Sequence, residues 1–183
     1  SKEFNREMHV AIAYMKLGIL AHDQHKYDEA LSYYRKTVKI NKKINNISGL
    51  ANGFNNIGNI YLKLEKYDQS LTELKKASAL YRKMGDNEGI IINLVNQAMI
   101  HEKLGNFDKE LAIYDSCLIL LKDLNLNETK LTIYHNIYQA WELKGDLPKA
   151  YTAIQRYYSF NDSLFTIEKD KEIAEIQLKY DTE

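Results

Sequence analysis

Two histidines and an aspartate, residue types that bind metal ions, lie close together as His22, Asp23 and His25. Structural zinc sites take about four ligands, and catalytic zinc sites take about three from the protein. The two histidines are three residues apart at the predicted end of a helix, and no third ligand of comparable quality lies nearby. The pattern therefore favours a solvated turn over a metal site, and we predict neither a metal ion nor a cofactor.

The sequence also lacks the usual patterns of catalytic groups. It contains no glycine-rich phosphate loop, no His-Glu-x-x-His motif and no paired cysteines. Cys117 is the sole cysteine, and no motif of an activated nucleophile surrounds it, so we expect an inert buried thiol. The carboxylates are spaced as i,i+4 partners of lysines on helix surfaces. We predict that this chain is not an enzyme, although a catalytic domain could lie outside it.

A short phrase recurs along the chain at a constant spacing of 40 residues. It reads YDEAL at 27–31, YDQSL at 67–71, FDKEL at 107–111 and LPKAY at 147–151. A fixed period of this size indicates a repeat protein, in which each unit packs only on its neighbours. These repeats must position any functional side chain.

The second repeat shows how such a unit is built. One side of a predicted helix carries Phe54, Ile57, Gly58 and Tyr61. Successive members of this set are three, one and three residues apart, a spacing that places them on one helix face. Glycine in the middle of a helix costs about 1 kcal/mol relative to alanine. Close approach of a neighbouring helix is the usual reason to accept this cost, so we predict that Gly58 is buried against another helix.

The order aromatic-x2-Leu-Gly-x2-Tyr, followed by Ala-x3-Phe, is typical of the tetratricopeptide repeat (TPR). The chain resembles this family in all four units, with a period longer than the usual one of about 34 residues. The matching residues are Tyr14, Leu17, Gly18, Tyr27, Ala30 and Tyr34; Phe54, Ile57, Gly58, Tyr61, Tyr67, Ser70, Leu74 and Ala77; Leu94, Gln97, Ala98, His101, Gly105, Phe107, Glu110 and Tyr114; and Tyr134, Ile137, Tyr138, Trp141, Gly145, Ala150 and Ile154.

The resemblance implies an all-α fold, a right-handed TPR superhelix (α-solenoid) of four helix pairs plus a C-terminal helix. Residues 1–160 would hold four units, at about 11–44, 50–84, 89–123 and 128–160. Residues 161–183 would form a capping or signal-transmitting helix. The predicted helices are 11–24, 28–44, 50–64, 68–84, 89–104, 108–123, 128–144, 148–160 and 163–181.

In TPR proteins the first helix of each unit lines a concave groove, and peptides bind there. The resemblance therefore implies a peptide-binding groove in this chain. Its predicted lining residues are Met15, Ile19, His22, Asn52, Asn55, Asn59, Val95, Met99, Glu102, His135, Gln139 and Glu142.

Asparagines are frequent on the first helices, although asparagine has a low helix propensity. A side-chain amide both donates and accepts hydrogen bonds, so it can bind the backbone of an extended peptide. Alternatively, it can bond to a neighbouring helix of the repeat. We expect the first role for Asn52, Asn55 and Asn59, and the second for the periodic set Asn56, Asn96 and Asn136.

Composition excludes two classes of partner. Lysine and arginine number 25, aspartate and glutamate also number 25, and the net charge is zero. Nucleic-acid-binding domains usually carry a basic excess, so we expect no nucleic acid to bind this region. No run approaches the ~18 apolar residues of a membrane-spanning helix, so we expect no membrane contact by this region.

The C-terminal stretch 171–183 (KEIAEIQLKYDTE) resembles the charged helix that follows TPR arrays in bacterial signalling proteins. The resemblance implies a sensory or interaction region of a histidine kinase or a helix-turn-helix transcriptional regulator. It favours a periplasmic position in an inner-membrane sensor. The alternatives are a cytoplasmic scaffold and an intracellular signalling-peptide receptor that regulates an enzyme or a transcription factor.

The first predicted helix is apolar nearly all round from residue 10 to residue 20. Such a helix is normally buried on every side. We therefore expect a further repeat before it in the parent protein, and self-association of this chain through Ala13, Leu17 and Leu20.

Overall fold

The computed structural model describes the backbone of residues 2–181 and the side chains of residues 2–166. This part of the chain forms helices and no strand. The elements are α1 (Lys2–Asp23), α2 (Tyr27–Lys43), α3 (Ile47–Lys63), α4 (Tyr67–Met84), α5 (Asn87–Lys103), α6 (Phe107–Leu120), a short 3₁₀ helix (Leu121–Asp123), α7 (Asn127–Lys144) and α8 (Leu147–Asp181). The all-α prediction is confirmed.

The chain forms two compact units, Ser1–Ile113 and Tyr114–Glu183. In the first unit α1 packs on α2, and α3 packs on α4. One core cluster consists of Ala21, Ala30, Leu31, Tyr34, Ile57, Ile60 and Tyr61. In the second unit α7 packs on α8, and Ile133, Ala140 and Ala150 are buried.

The turn inside each repeat has the same backbone conformation four times. The residues with positive φ there are His25, Glu65, Gly105 and Gly145, again 40 residues apart. Each first helix ends in paired backbone hydrogen bonds, for example from His25 N to the His22 carbonyl (2.8 Å) and from Lys26 N to the Ala21 carbonyl (2.8 Å). This pattern is the Schellman motif, which satisfies carbonyls that the helix end leaves free. The sequence period is therefore a period of turn geometry as well.

Gly58 is buried, as predicted, in close contact with the following helix. A Cβ atom at this position would lie 2.7 Å from Cγ of Leu74. The Ser70 hydroxyl donates to the Gly58 carbonyl at 2.6 Å, which ties α4 to α3 at the same point. The two backbones can approach this closely only because residue 58 has no side chain.

Two of the three junctions between repeats share one capping arrangement. Asn46 accepts a hydrogen bond from Gly49 N (3.1 Å), and Asp86 accepts one from Gly89 N (2.8 Å). Both are side-chain N-caps of the following helix. At the third junction Leu126 precedes α7 and makes no side-chain cap. The junction residues that lengthen the repeat thus provide a side-chain N-cap for α3 and for α5, but not for α7.

Four predicted boundaries were wrong, and the first is the start of α3, which lies at Ile47 rather than at residue 50. Helix α1 begins at Lys2 rather than at residue 11, and α6 ends at Leu120, where a 3₁₀ turn follows. The break predicted between residues 160 and 163 is absent, since α8 runs continuously through it. The Ser163 hydroxyl donates to the Phe160 carbonyl at 2.7 Å, a bond compatible with a helix interior. No glycine or proline interrupts the helix there.

The functional division at residue 160 stays a prediction. The side chains of residues 167–183, which include most of the charged stretch, lie outside the described residues. Among residues 2–181, no helix has both the length and the apolar character needed to cross a membrane.

Candidate peptide-binding groove

The predicted groove residues of α1 lie along its accessible side. Ile19 is 45% exposed, and Met15 and His22 are half-buried. Nδ1 of His22 lies 3.2 Å from Oδ1 of Asp23, and the His22 ring packs near Tyr27. Met15 and Ile19 therefore present apolar surface, while His22 belongs to the helix end.

The three asparagines that we expected in the groove on α3 have different environments. Asn52 is exposed, and its Oδ1 accepts a hydrogen bond from the Tyr81 hydroxyl at 2.8 Å. Asn59 is half-buried and has no hydrogen-bond partner among the described residues. Asn55 is only 8% exposed, so its side chain lies mainly between helices. The simple groove assignment of Asn55 was therefore incomplete.

Asn55 belongs to a network of side-chain amides that joins α3 to α5. Its Oδ1 accepts from Nδ2 of Asn93 at 3.1 Å and from Nδ2 of Asn96 at 3.4 Å. Oδ1 of Asn93, which is completely buried, accepts from Nε2 of Gln97 at 2.7 Å. Buried amides are costly unless they are bonded, so this network fixes the two helices in register. The sequence analysis did not name Asn93 and assigned Gln97 only to the repeat pattern, although the i,i+4 spacing of the two was an available signal for a pair.

The periodic asparagines bond to neighbouring helices, as we expected, but each partner lies in the preceding repeat rather than in the same one. Nδ2 of Asn56 lies 3.1 Å from Sδ of Met15 on α1, and Asn96 bonds to Asn55 on α3. In the second unit, Nδ2 of Asn136 donates to the Tyr114 hydroxyl at 3.1 Å. These side chains position the first helices.

The predicted groove residues of α5 lie on the accessible side of the helix. Val95, Met99 and Glu102 are all half-buried. Met99 packs against the cluster of Leu62, Leu74 and Ile100. Glu102 pairs with Lys103 at 3.1 Å. Within the first unit, one cleft brings together Met15, Ile19 and Asn52, and Asn55 is linked by a hydrogen bond to Asn96 on α5.

The remaining predicted groove residues lie on α7, in the second unit. His135 and Gln139 are exposed, and the His135 ring lies 5.9 Å from Tyr138 and 5.8 Å from Tyr157, centroid to centroid. Glu142 accepts a hydrogen bond from the Tyr138 hydroxyl at 2.8 Å. These residues form an aromatic-rich surface of the second unit.

A cleft of about 380 Å³ opens between α1 and α3 in the first unit. Ile12, Met15 and Ile19 form one wall, and Ser48 and Asn52 form the other. Small-molecule sites fall at roughly 300–1,000 Å³, so the cleft has the volume for a small group.

A buried carboxyl group lies close to the groove residues of α5. Glu110 is 2% exposed, and its Oε2 has no hydrogen-bond partner among the described residues. Burial raises the pKa of Glu110 to about 7, the Glu102 carboxylate adds to this rise, and Lys103 opposes it. Ala30, Ser70 and Ala150 occupy the equivalent position in the other repeats. The third repeat therefore has a long, ionisable side chain at a position where the other repeats have a small residue.

The groups considered for chemistry are the histidines at the end of α1 and Cys117. Nδ1 of His25 bonds to the Tyr27 hydroxyl at 3.1 Å, and no cluster of three or more metal-binding side chains occurs among the residues described. Cys117 is fully buried, and this burial raises the pKa of its thiol to about 12. A thiol with this pKa is protonated at neutral pH and is a poor nucleophile.

Comparison with known proteins identifies the class. Residues 10–48 match one family model and residues 49–123 match another, and both models describe the tetratricopeptide repeat. The chain belongs to the tetratricopeptide repeat family. No curated protein sequence matches it.

Several solved structures share the fold. BtubC (BKLC) from P. vanneervenii is 15% identical, with a TM-score of 0.76, over 84% of this chain and 64% of that one. Aspartyl phosphate phosphatase F from Bacillus subtilis is 14% identical, with a TM-score of 0.79, over 84% and 40%.

The Rap conjugation gene regulator of the plasmid pLS20, solved in complex with the Phr peptide, is 23% identical, with a TM-score of 0.68, over 80% and 41%. This chain therefore spans less than two thirds of the length of each of these three proteins. The shared fold confirms the predicted TPR fold class.

Proposed function

We propose that this chain is the non-catalytic sensory or interaction region of a bacterial signal-transduction protein, a histidine kinase or a transcriptional regulator. It binds an extended peptide or protein segment along α1, α3 and α5. The Rap regulator with its Phr peptide supports a peptide as the ligand, since a protein of the same fold binds one.

The observation that carries the proposal is a pair of amides on α3 whose donor groups make no hydrogen bond to the described part of the protein. Asn59 has no partner among the described residues, and Nδ2 of Asn55 makes no hydrogen bond there, although Oδ1 accepts two. An amide can donate to one peptide carbonyl and accept from one peptide N–H. Asn55 is also rigid, because its carbonyl is bonded to α5, so its free N–H₂ group is positioned before a ligand arrives. Such preorganisation lowers the entropic cost of binding.

The test is to compare Asn59→Ala with the wild type against a library of short synthetic peptides. We expect peptide binding by the wild type, a loss of affinity of about fivefold or more in Asn59→Ala, and unchanged folding. Asn161→Ala is the matched control, because Asn161 is an exposed helical asparagine in the second unit. Absence of any peptide binder, or equal affinity for Asn59→Ala and the wild type, would overturn the proposal.

The second candidate is an intracellular signalling-peptide receptor that regulates an enzyme or a transcription factor. The Rap regulator and the aspartyl phosphate phosphatase favour it, since both share this fold. The two candidates differ in compartment: the first proposal places this region in the periplasm, and the second places it in the cytoplasm. Fractionation of cells that express the full-length parent protein distinguishes them.

A further inference from the structure

The cleft between α1 and α3 has one strongly apolar wall. Ile12 and Ile19 are each 45% exposed, and Met15 lies between them along the same side of α1. Exposed aliphatic side chains are common singly, but three that line one cleft form a surface that gains free energy when it is covered by an apolar group.

The floor of the cleft has no polar group in need of a partner. Nδ2 of Asn41 donates to the Thr37 carbonyl at 3.0 Å, and Nδ2 of Asn46 donates to Oδ1 of Asn41 at 2.8 Å. The Thr37 hydroxyl bonds to the Tyr33 carbonyl at 3.1 Å. A polar group inserted to this depth would lose its hydrogen bonds to water without replacing them, so the floor selects an apolar side chain.

The rim of the cleft carries a single charge. Lys16 is the only charged residue among those that line the cleft, and it makes no ion pair within the described part of the chain. On the opposite wall Ser48 and Asn52 provide uncharged polar groups for a backbone. The electrostatic complement of this rim is an anion.

We propose that this cleft binds one aliphatic side chain of an extended peptide, and that a carboxylate next to that side chain pairs with Lys16. The inference rests on the proposed peptide-binding function and names the ligand chemistry for one part of the groove. The carboxylate can come from an Asp or Glu side chain or from the C-terminus of the peptide, since both have the same charge and geometry.

The test uses short synthetic peptides with blocked termini and a Gly/Ser background that contains Leu-Glu, Ala-Glu, Leu-Gln or Leu-Lys at the centre. A fifth peptide ends in Leu with a free carboxylate, to separate the two sources of the anion. We expect Leu-Glu to bind roughly 10- to 100-fold more tightly than Ala-Glu, because the leucine side chain is buried. We expect it to bind roughly 1.5- to 5-fold more tightly than Leu-Gln, as is usual for an exposed ion pair.

Methyl NMR of the four methionines of the full chain locates the binding. The Met15 methyl resonance should shift with Leu-Glu, because Met15 lines the cleft, whereas Met84 lies outside it and is the internal control. Met99 reports on binding along α5.

Substitution of the lysine gives a charge-reversal test. Lys16→Glu should exchange the order of Leu-Glu and Leu-Lys, and Lys39→Glu, at an exposed residue of α2, should leave the order unchanged. An order that is the same in Lys16→Glu and in the wild type would refute the role of Lys16. Peptides that shift Met99 but not Met15 would overturn the cleft inference while leaving the proposed function intact. Failure of every library peptide to shift either methionine would overturn both.

Discussion

Glu110 provides a quantitative test of the packing in the third repeat. The carboxyl group is 2% exposed, and its pKa is raised from 4.5 to about 7. One pKa unit corresponds to about 1.36 kcal/mol, so ionisation of this group in the folded protein costs about 3 kcal/mol. We predict that Glu110→Gln removes this pH-dependent cost.

The sign follows from the raised pKa. Below pH 4.5 Glu110 is protonated in both the folded and the unfolded protein, so it contributes no pH-dependent cost. Between pH 4.5 and about 7 the unfolded chain ionises first, so the folded state binds more protons and stability falls as pH rises. Above about pH 7 the full cost is present. The wild type should therefore lose stability relative to Glu110→Gln across this window.

The assay is urea unfolding of both proteins at several pH values, followed by circular dichroism. The difference in the free energy of unfolding should grow by up to about 3 kcal/mol from pH 4.5 to about 7, in favour of Glu110→Gln. Glu29→Gln is a suitable control, because Glu29 is an exposed glutamate near the start of α2. A difference that does not change with pH would refute the assigned burial and pKa of Glu110.

Three further predictions concern the core. Gly58→Ala should lower the free energy of unfolding by about 1–3 kcal/mol, because the new Cβ would lie 2.7 Å from Cγ of Leu74, and an unchanged melting temperature would contradict this. Asn93→Ala should cost about 1–3 kcal/mol and lower the hydrogen-exchange protection of α5, since Asn55 loses a buried partner. Cys117 should resist iodoacetamide at neutral pH in the folded protein and react in urea, because its pKa is raised to about 12; rapid labelling of the folded protein would be the opposite result.

The repeated elements of this fold were predictable because their signals recur. The 40-residue period located the turns, and the same period appears in the positive φ values of Glu65 and Gly105. A glycine in mid-helix also predicted the contact of Gly58, since its propensity cost required a packing reason. Features shared by several repeats were thus visible in the sequence.

Features that occur once were harder to predict. The burial of Asn55 depends on the position of Asn93 on another helix, and helical periodicity alone does not reveal such a pairing. Glu110 looked like an ordinary second-helix residue, although its alignment with Ala30 and Ser70 carried a signal. The continuity of α8 through residue 161 was missed because Asn, Asp and Ser are common at helix starts but are also tolerated inside helices.

The uncapped third junction implies uneven local stability along the chain. Gly49 N and Gly89 N are held by the side chains of Asn46 and Asp86, whereas α7 begins without such an acceptor. A side-chain cap contributes about 1 kcal/mol, so the first turn of α7 should open on the order of fivefold more often than those of α3 and α5. Backbone that opens readily is a preferred site of proteolytic cleavage, and it also tolerates inserted sequences. Nicking at residues 124–129 would separate the fourth repeat from the first three.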